Sequence, residues 1–525
     1  MTAQVLINGQ WQDADATGTF QATDPNTNAL LPETFPVSSW QDCDAALDAA
    51  VEAAKVMRGL SPQAIAVFLE TYADLIEANK DALVEAAHRE TGLAKSPRLA
   101  DGELPRTSNQ LRAAADSCRS GDWALATIDT AAGIRSCYEP LGPVCVFGPN
   151  NFPYAFGSVS GGDFAAAIAA GNPVIGKANS SHPETTRLLA ELAFQAAQQT
   201  EVPDAIVQLI YRTSHADGER LVSDPRVGAT GYTGSRSAGL KLKSSADQAG
   251  KPIYLELSSV NPVVVLPQAL AKQRNEIVDQ FVGSALMGAG QFCTNPGVVI
   301  LVKGSDADDF VSRVAERYAD AAPGTLLSPA VGKSLRVSIG TLCDLGVDLK
   351  VGGGELETDR CALANTLMTC TGTQFLSDPE GYQTEAFGNA SLVVLADDVD
   401  QVVNILSQLE GNLTGCIYSD SEGGDDPVYD QVAAALTPKV GRLLNDKMPT
   451  GVAVSAAMNH GGPYPATGHP GFTAVGIPGA MLRFGKLTSY DNVRPARLPK
   501  LLADQNPTGN TPRRIDGEWT TADVV

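Results

Sequence analysis

Positive charge is scarce in this sequence: 38 lysines and arginines stand against 60 aspartates and glutamates, and the formal net charge is −22. Few cations are therefore left to neutralise the phosphates of nucleic acids or the headgroups of anionic membranes. We expect neither of these as a partner. An anionic substrate would need a local basic group that acts against the overall field.

Long apolar runs are also missing, since none reaches the ~20 residues of a membrane-spanning helix. The N-terminal residues lack the basic region and the apolar core of a secretory signal. The 9 cysteines are odd in number, scattered and without a C-x-x-C pair, which argues against a disulfide framework and a structural zinc site. The 5 histidines are equally dispersed. These absences favour a cytoplasmic protein that holds no metal.

The 525 residues are too many for one core, so two or three domains are expected. Residues 41–118 are rich in alanine, leucine and glutamate at helical spacing, which predicts amphipathic helices. From about residue 134, short apolar strands alternate with helices, and the pattern continues beyond residue 258. This alternation is typical of an α/β fold with parallel sheets. Residues 490–525 are rich in proline, asparagine and aspartate, which suggests an extended tail.

Three polar residues in separate motifs carry the candidate chemistry. Cys293 lies in the glycine-rich run 288–297, and its thiolate could attack an aldehyde carbonyl, although buried free cysteines are usually inert. Glu256 ends an apolar strand, where a carboxylate can activate water unless it is only salt-bridged. Asn151 could donate its amide to an oxyanion together with the Cys293 N–H, although asparagine before an X-Pro pair is common in turns. The three together indicate covalent oxidation of an aldehyde.

Two weaker motifs suggest a nucleotide cofactor. Lys177 ends a buried strand and could reach a ribose hydroxyl or a phosphate. Gly234 and Ser235 follow another strand and precede a helix, so their N–H groups could face a pyrophosphate. The run is not the three-glycine dinucleotide fingerprint.

Taken in order, these motifs resemble those of the aldehyde dehydrogenase superfamily. The resemblance covers nearly the whole chain and implies that Cys293 is the nucleophile, Glu256 the general base and Asn151 the oxyanion donor. It also implies that Lys177 contacts the adenosine ribose and Ser235 the pyrophosphate. In a further matching motif, Glu385 would hold the nicotinamide-side ribose and Phe387 would pack near the nicotinamide.

The resemblance also implies an architecture: a Rossmann-like cofactor domain, an α/β catalytic domain and a small bridging β element. We expect the cofactor domain at 1–122 and 141–256 and the catalytic domain at 257–475. The bridge would comprise 123–140 and 476–500, with 501–525 as the tail. Bridging edges of this kind usually pair between subunits, which implies a homodimer or a homotetramer.

A closer resemblance is to the 2,5-dioxopentanoate (α-ketoglutaric semialdehyde) dehydrogenases, a branch that also resembles an NADP-dependent fatty-aldehyde dehydrogenase of luminous bacteria. Ser258 and Ser259 follow the general base where most of the superfamily has glycines. Ser180 stands where many NAD-preferring relatives carry glutamate, so we predict NADP as cofactor, with NAD as the alternative. His460 is unusual near such a site and is a second candidate base, a pocket residue or a packing residue.

The expected substrate carries a keto acid at its far end, so a cation should anchor its carboxylate. Arg106 and Arg112 lie on a predicted helix that borders the substrate tunnel in the superfamily, and Phe152 and Phe156 would form an apolar wall. Surface ion pairing is the alternative for either arginine. The rival functions are a broad-specificity or long-chain fatty aldehyde dehydrogenase, a catalytically silent relative, and a non-redox nucleotide-binding protein.

Overall fold

The computed structural model describes residues 1–524. Its helices are α1 (Trp40–Met57), α2 (Pro62–Ala78), α3 (Lys80–Thr91), α4 (Leu104–Ser120), α5 (Gly162–Ala169), α6 (Pro183–Gln198), α7 (His215–Ser223), α8 (Arg236–Gln248), α9 (Pro267–Ala285), α10 (Ser305–Asp320), α11 (Pro329–Asp344), α12 (Gly372–Ser377), α13 (Pro379–Tyr382), α14 (Val399–Ser407) and α15 (Asp426–Leu436). Among them, none combines the length and the apolarity that a bilayer crossing requires.

The strands are β1 (Val5–Ile7), β2 (Gln10–Gln12), β3 (Ala16–Phe20), β4 (Thr23–Asp24), β5 (Ala29–Leu30), β6 (Phe35–Ser38), β7 (Thr127–Asp129), β8 (Ile134–Pro140), β9 (Val144–Phe147), β10 (Val174–Lys177), β11 (Val207–Ile210), β12 (Ala229–Thr233), β13 (Ile253–Glu256), β14 (Val263–Val265), β15 (Val298–Val302), β16 (Asp348–Val351), β17 (Thr366–Thr371), β18 (Ala390–Ala396), β19 (Asn412–Tyr418), β20 (Val440–Asn445), β21 (Gly485–Asp491), β22 (Arg513–Ile515) and β23 (Glu518–Thr520). Strands and helices alternate, and the predicted α/β class is confirmed.

Capping side chains explain where the N-terminal helices begin. The side chain of Ser39 accepts a hydrogen bond from the N–H of Gln41 at the start of α1. Ser61 caps α2 in the same way, with a proline at the first helical position. Proline fits there because the first helical N–H groups have no partner within the helix. Gly92 ends α3 with φ 68°, a left-handed conformation that glycine adopts without a steric cost.

The first sheet has the order β13-β12-β9-β10-β11-β1-β2. The strands from β13 to β11 run parallel, and β1 and β2 extend the sheet antiparallel at one edge. The central strand β9 is buried along its whole length, which fits its continuous apolar sequence because helices cover both faces of parallel sheets. Ligands of such sheets bind beyond the carboxyl ends of the strands. We therefore expect a ligand beside the residues that follow β9, β10, β12 and β13.

The second sheet repeats this arrangement with the order β16-β17-β18-β15-β14-β19-β20. Its strands are parallel except for β16, which pairs antiparallel with β17. One aromatic-rich layer of its core joins Phe281, Phe310 and Tyr318, whose rings lie 6.1–6.3 Å apart. Cys293 lies on the connection that leads into β15.

A third sheet has the order β21-β8-β7-β22-β23. The pairing of β8 with β21 brings together the two segments that were expected to form a bridging element, while the exact domain limits stay a prediction. The extended tail expected after residue 500 is wrong in one respect, because β22 pairs parallel with β7 and antiparallel with β23. The composition of this segment indicated turns but could not reveal a partner strand almost 400 residues away.

A buried arginine holds the C-terminal segment in place. The side chain of Arg513 is 0% exposed and donates hydrogen bonds to the carbonyl oxygens of Ala503, Asp504 and Ala522. Two otherwise separate segments, 503–504 and Ala522, therefore converge on one guanidinium, which is well suited to this because its donors form a fixed planar fork.

We expect Arg513→Ala to weaken the C-terminal sheet by about 2 kcal/mol, since buried carbonyl oxygens would lose their partners. Hydrogen–deuterium exchange of peptides from residues 501–524 measures this as faster exchange. Arg514 is the matched control because its side chain is exposed, and Arg514→Ala should change the opening free energy by less than ~0.5 kcal/mol. Equal exchange rates in the two variants would contradict the role of Arg513 in holding the C-terminal segment.

Candidate active site

The loop that carries Cys293 depends on left-handed backbone conformations. Gly288, Ala289 and Gly290 have φ values of 56°, 56° and 69°. A Cβ atom on Gly290 would lie 2.0 Å from the carbonyl oxygen of Gly388, so no larger residue fits without displacing one of the two backbones. The glycine-rich composition that made Cys293 conspicuous in the sequence is therefore required by the close approach of another loop.

Two amide side chains fix the loop further. Gln291 accepts a hydrogen bond from the N–H of Leu327 at 2.8 Å and donates to the carbonyl oxygen of Gly288 at 3.0 Å. Asn261 donates to the carbonyl oxygens of Cys293 at 2.9 Å and Asn295 at 2.8 Å. Sequence reasoning missed Asn261, because an asparagine before a proline has no distinctive pattern there.

Cys293, His460 and Glu256 form one cluster. The Nε2 atom of His460 lies 3.4 Å from the Sγ atom of Cys293 and 3.0 Å from Oε1 of Glu256. His460 and Glu256 are each 2% exposed, whereas Cys293 is partly accessible. Oε2 of Glu256 has no hydrogen-bond partner among the described residues. One imidazole nitrogen thus lies between a thiol and a buried carboxylate.

Backbone pairing places two members of this cluster together. Glu256 is the last residue of β13, and Leu257 donates its N–H to the carbonyl oxygen of Ala466 at 2.8 Å. The same C-terminal segment carries His460, whose N–H donates to Oγ1 of Thr473 at 3.0 Å. The imidazole packs against the ring of Phe156, with centroids 5.4 Å apart. His460 was a candidate from the sequence, and the structure brings it to Glu256 across 204 positions.

Asn151 lies beside the same loop. Its side chain is buried, and its amide donates one hydrogen bond to the carbonyl oxygen of Gln291 at 3.0 Å. An asparagine amide has two N–H donors, so one remains for another acceptor. The backbone carbonyl of Asn151 in turn accepts a hydrogen bond from Arg98 at 2.8 Å.

The charge around Cys293 disfavours its thiolate as the cluster stands. Desolvation, followed by the nearby Glu256 carboxylate, raises the pKa of the Cys293 thiol well above its ordinary value. The guanidinium of Arg106 acts in the opposite direction and lowers it. A resting thiol that needs a base to remove its proton is the chemical consequence.

A cleft of about 690 Å³ opens over Cys293 and His460, and Arg106, Phe152 and Phe156 line it. Arg106 donates from Nη1 to the carbonyl oxygen of Val452 at 2.8 Å. Its Nε and Nη2 atoms are buried and find no partner among residues 1–524. The structure thus brings three of the four predicted substrate residues into one pocket with the thiol, and it leaves two guanidinium donors free there.

Arg112, the fourth predicted substrate residue, does not reach this pocket. Its guanidinium pairs with the carboxylates of Glu77 and Asp74 on the outer face of the α2–α4 contact. The surface ion pair that was the alternative interpretation is therefore correct for Arg112. Sequence reasoning missed Arg98, which lines the pocket and lies 4.3 Å from the centroid of the Phe152 ring while pairing with Glu103.

A second cleft, of about 570 Å³, lies beyond the carboxyl ends of β9, β10 and β12. Lys177, Ser180, Gly234 and Ser235 all line it, as does Arg212, which the sequence did not single out. Desolvation, followed by the charge of Arg212, lowers the pKa of Lys177 to about 8. Ser235 precedes the first residue of α8, so the free N–H groups of that helix face the cleft.

Glu385 and Phe387 lie on the other side of the Ser258–Val260 segment, where a cleft of about 540 Å³ is lined by Arg236, Ser258 and Glu385. Phe387 lines a small adjoining cavity with Glu385. Desolvation raises the pKa of Glu385 to about 7, against the opposing hydrogen bond from Ser258. The predicted cofactor residues thus fall into two groups, one in the cleft of Lys177 and Ser235 and the other around Glu385. The segment that follows Glu256 lies between them.

Comparison with known proteins gives one consistent family. The aldehyde dehydrogenase family model matches residues 11–451. The chain is 39% identical to alpha-ketoglutaric semialdehyde dehydrogenase 2 of Azospirillum brasilense, with 99% of each protein covered. It is 36% identical to alpha-ketoglutaric semialdehyde dehydrogenase of Acinetobacter baylyi, with 98% of each covered.

The same fold occurs in solved structures at lower sequence identity. Aldehyde dehydrogenase C of Pseudomonas syringae, solved with NAD⁺ and octanal, superposes with a TM-score of 0.78 at 20% identity and covers 94% of this chain and 98% of its own. The fold, the family match and the two full-length relatives agree with the order of motifs around Cys293, and the chain belongs to the aldehyde dehydrogenase family.

Proposed function

We propose that this enzyme oxidises α-ketoglutaric semialdehyde (2,5-dioxopentanoate) to 2-oxoglutarate with NADP⁺, and that Cys293 forms the covalent intermediate. The observation that carries the proposal is the shared pocket of a thiol and a buried guanidinium with two unpartnered donors, at Cys293 and Arg106. The names of the two full-length relatives support the same substrate.

In the first step His460 takes the proton of the Cys293 thiol. For this step the resting imidazole carries its proton on Nδ1, so that the lone pair of Nε2, 3.4 Å from the sulfur, receives the thiol proton. The new Nε2–H then donates to the Glu256 carboxylate 3.0 Å away, which stabilises the imidazolium. The thiolate then adds to the aldehyde carbon. The free N–H of the Asn151 amide and the N–H of Cys293 hold the resulting oxyanion.

In the second step the thiohemiacetal becomes a thioester and then an acid. When bound, NADP⁺ supplies the hydride acceptor for this oxidation. Glu256, with its unpartnered Oε2, takes a proton from water, whose oxygen adds to the thioester carbon and releases the Cys293 thiolate. Because Glu256 is present to activate water, we propose hydrolysis and no acyl transfer to a thiol cofactor.

The charge of the pocket suits this substrate. The far carboxylate and the neighbouring keto oxygen can accept hydrogen bonds from Nε and Nη2 of Arg106, an arrangement that a guanidinium fork favours. Phe152 and Phe156 pack around the arginine, with Phe156 5.4 Å from its guanidinium carbon. The apolar rings exclude water from the middle of the substrate and strengthen the charged contact at its end.

The residues of the second cleft fit a dinucleotide, and we propose NADP. The start of α8 after Gly234 and Ser235 would receive the pyrophosphate. Lys177, Ser180 and Arg212 would surround the adenosine ribose with two cations and a hydroxyl, which suits a 2′-phosphate. Glu385 would accept hydrogen bonds from the second ribose, with Phe387 beside the nicotinamide.

We also propose a homodimer or a homotetramer that assembles through the third sheet. Leu487 and Trp519 on this sheet are 60% and 57% exposed, and Ile134 on β8 is exposed as well. Exposed large apolar side chains are typical of a surface that another subunit covers.

We expect Cys293→Ala to reduce turnover of the semialdehyde by at least about 1000-fold, because the covalent step is lost. NADPH formation measured at 340 nm tests this, and NADP⁺ binding followed by fluorescence quenching should not change. Cys343→Ala is the control, since Cys343 is an exposed cysteine far from the cluster. Residual turnover near the wild-type rate would exclude Cys293 as the nucleophile.

We expect Arg106→Ala to raise KM for the semialdehyde about 10- to 100-fold, because a hydrogen bond to a charged group contributes about 1.5–3 kcal/mol. KM for propanal, which has no carboxylate, should stay the same. Arg112→Ala on the same helix is the matched control and should change neither value. Equal effects of Arg106→Ala on the two KM values would show that Arg106 does not bind the substrate carboxylate. Faster turnover of decanal than of the semialdehyde by the wild type would favour a fatty-aldehyde function.

We expect Ser180→Glu to lower kcat/KM for NADP⁺ about 100-fold and to spare NAD⁺, because a carboxylate there repels a 2′-phosphate. Initial rates with each cofactor at fixed semialdehyde concentration measure the ratio. Ser181→Glu places the same charge one residue further along, outside the residues that line the cleft, and should leave the ratio unaltered. A wild-type preference for NAD⁺ would overturn the NADP assignment directly.

A further inference from the structure

The Cys293 cluster has the donor atoms and the spacing of a transition-metal site. One donor atom each from Glu256, Cys293 and His460 lie within 4.8 Å of one another. The Sγ–Nε2 distance is 3.4 Å and the Nε2–Oε1 distance is 3.0 Å. The scattered histidines of the sequence predicted no metal site, since the three residues are far apart along the chain.

These distances fit tetrahedral zinc. Zinc binds thiolate at about 2.3 Å, imidazole at about 2.0 Å and carboxylate at about 2.0–2.2 Å. A tetrahedral arrangement of such bonds separates the donor atoms by about 3.3–3.6 Å. The Sγ–Nε2 and Nε2–Oε1 spacings differ from this range by at most a few tenths of an ångström. The sulfur and the carboxylate lie within 4.8 Å of each other, and a side-chain rotation can bring them closer. Oε2 of Glu256, which is buried and unpartnered, is a second carboxylate donor already in place.

We propose that Glu256, Cys293 and His460 bind one Zn²⁺ ion reversibly, and that this ion inhibits the enzyme. Binding replaces the thiol proton, which is released to solvent, by a sulfur–zinc bond. The divalent charge then balances the thiolate and the Glu256 carboxylate, so the site becomes neutral overall. The sulfur lone pair and the carboxylate are both engaged, so neither can serve the proposed oxidation.

The pocket gives the ion a route and leaves its fourth position open. Cys293 and His460 line the wall of the 690 Å³ cleft, so a hydrated ion can reach them from the side where the substrate enters. Water would complete the coordination, as it does where a protein supplies three ligands to zinc. Mg²⁺ and Ca²⁺ should not compete, because they prefer all-oxygen ligand sets.

Arg106 faces the same cluster and opposes cation binding. Its charge already acts on the Cys293 thiol, and its unpartnered Nε and Nη2 atoms are held in the same pocket. Replacing Arg106 by the uncharged Met should therefore strengthen zinc binding, whereas it weakens binding of the proposed keto-acid substrate. This opposite response separates a metal site from a general loss of structure.

The test is a titration of the full-length, metal-free and thiol-reduced protein with Co²⁺, which reports a sulfur ligand by its thiolate-to-cobalt charge-transfer absorption. We expect one equivalent of Co²⁺ per chain, displacement by Zn²⁺ and no response to Mg²⁺. Cys293→Ala should abolish the band, and His460→Gln should weaken binding at least about 100-fold, because even outer-shell changes cost 10- to 100-fold. Cys343→Ser, an exposed thiol outside the cluster, should behave as the wild type.

Two results would overturn the inference: a band that survives in Cys293→Ala, or affinity for Co²⁺ that is the same in His460→Gln and wild type. Circular dichroism and the thermal midpoint of each variant establish that it is folded. The test does not need an active enzyme, so a protein that binds Co²⁺ but turns over no aldehyde refutes the proposed function alone. Turnover that Zn²⁺ does not inhibit, or that chelator fails to restore, refutes the inhibitory role.

Discussion

The buried carboxylate of Glu256 is the constraint on which the rest of the site depends. Burying a carboxylate that is 2% exposed is costly unless hydrogen bonds compensate it. The described partner of its Oε1 is Nε2 of His460, which can donate to it once that nitrogen carries a proton. That partner must come from a distant segment, which is held by backbone bonds to the end of β13 and by Thr473. The segment that carries His460 thus completes an electrostatic pair with Glu256. Cys293 contacts the same nitrogen, Nε2 of His460.

Much of the site could be predicted from local sequence because its residues are tied to backbone requirements. Cys293 was conspicuous through glycines that the left-handed turn at 288–290 needs, and Glu256 through its place at the end of an apolar strand. The parallel sheets followed from alternating periodicities in the same way. These signals lie within a few residues of the group they indicate, which is why a single sequence reveals them.

The sequence-based predictions were wrong where a residue's position depends on a partner far away in the chain. Arg106 and Arg112 have the same chemistry on one helix, but six residues correspond to about 600° of rotation, so only one can face the pocket. Nothing near Arg112 indicated that Glu77 and Asp74 would be opposite it. The segment beyond residue 500 has the composition of a loop, and it forms strands because β7 offers it an open edge. Propensity alone does not specify such partners.

The contact between Gly290 and Gly388 joins two loops whose proposed chemical roles are different. One loop carries Cys293, the proposed nucleophile, and the other follows Glu385 and Phe387, the proposed cofactor contacts. With no room for even a methyl group between their backbones, the loops form a single mechanical unit, and neither can be exchanged by itself. Transplanting the loop of Glu385 and Phe387 from a relative would also require the relative's counterpart of the Cys293 loop, so during evolution these two stretches are constrained to change together.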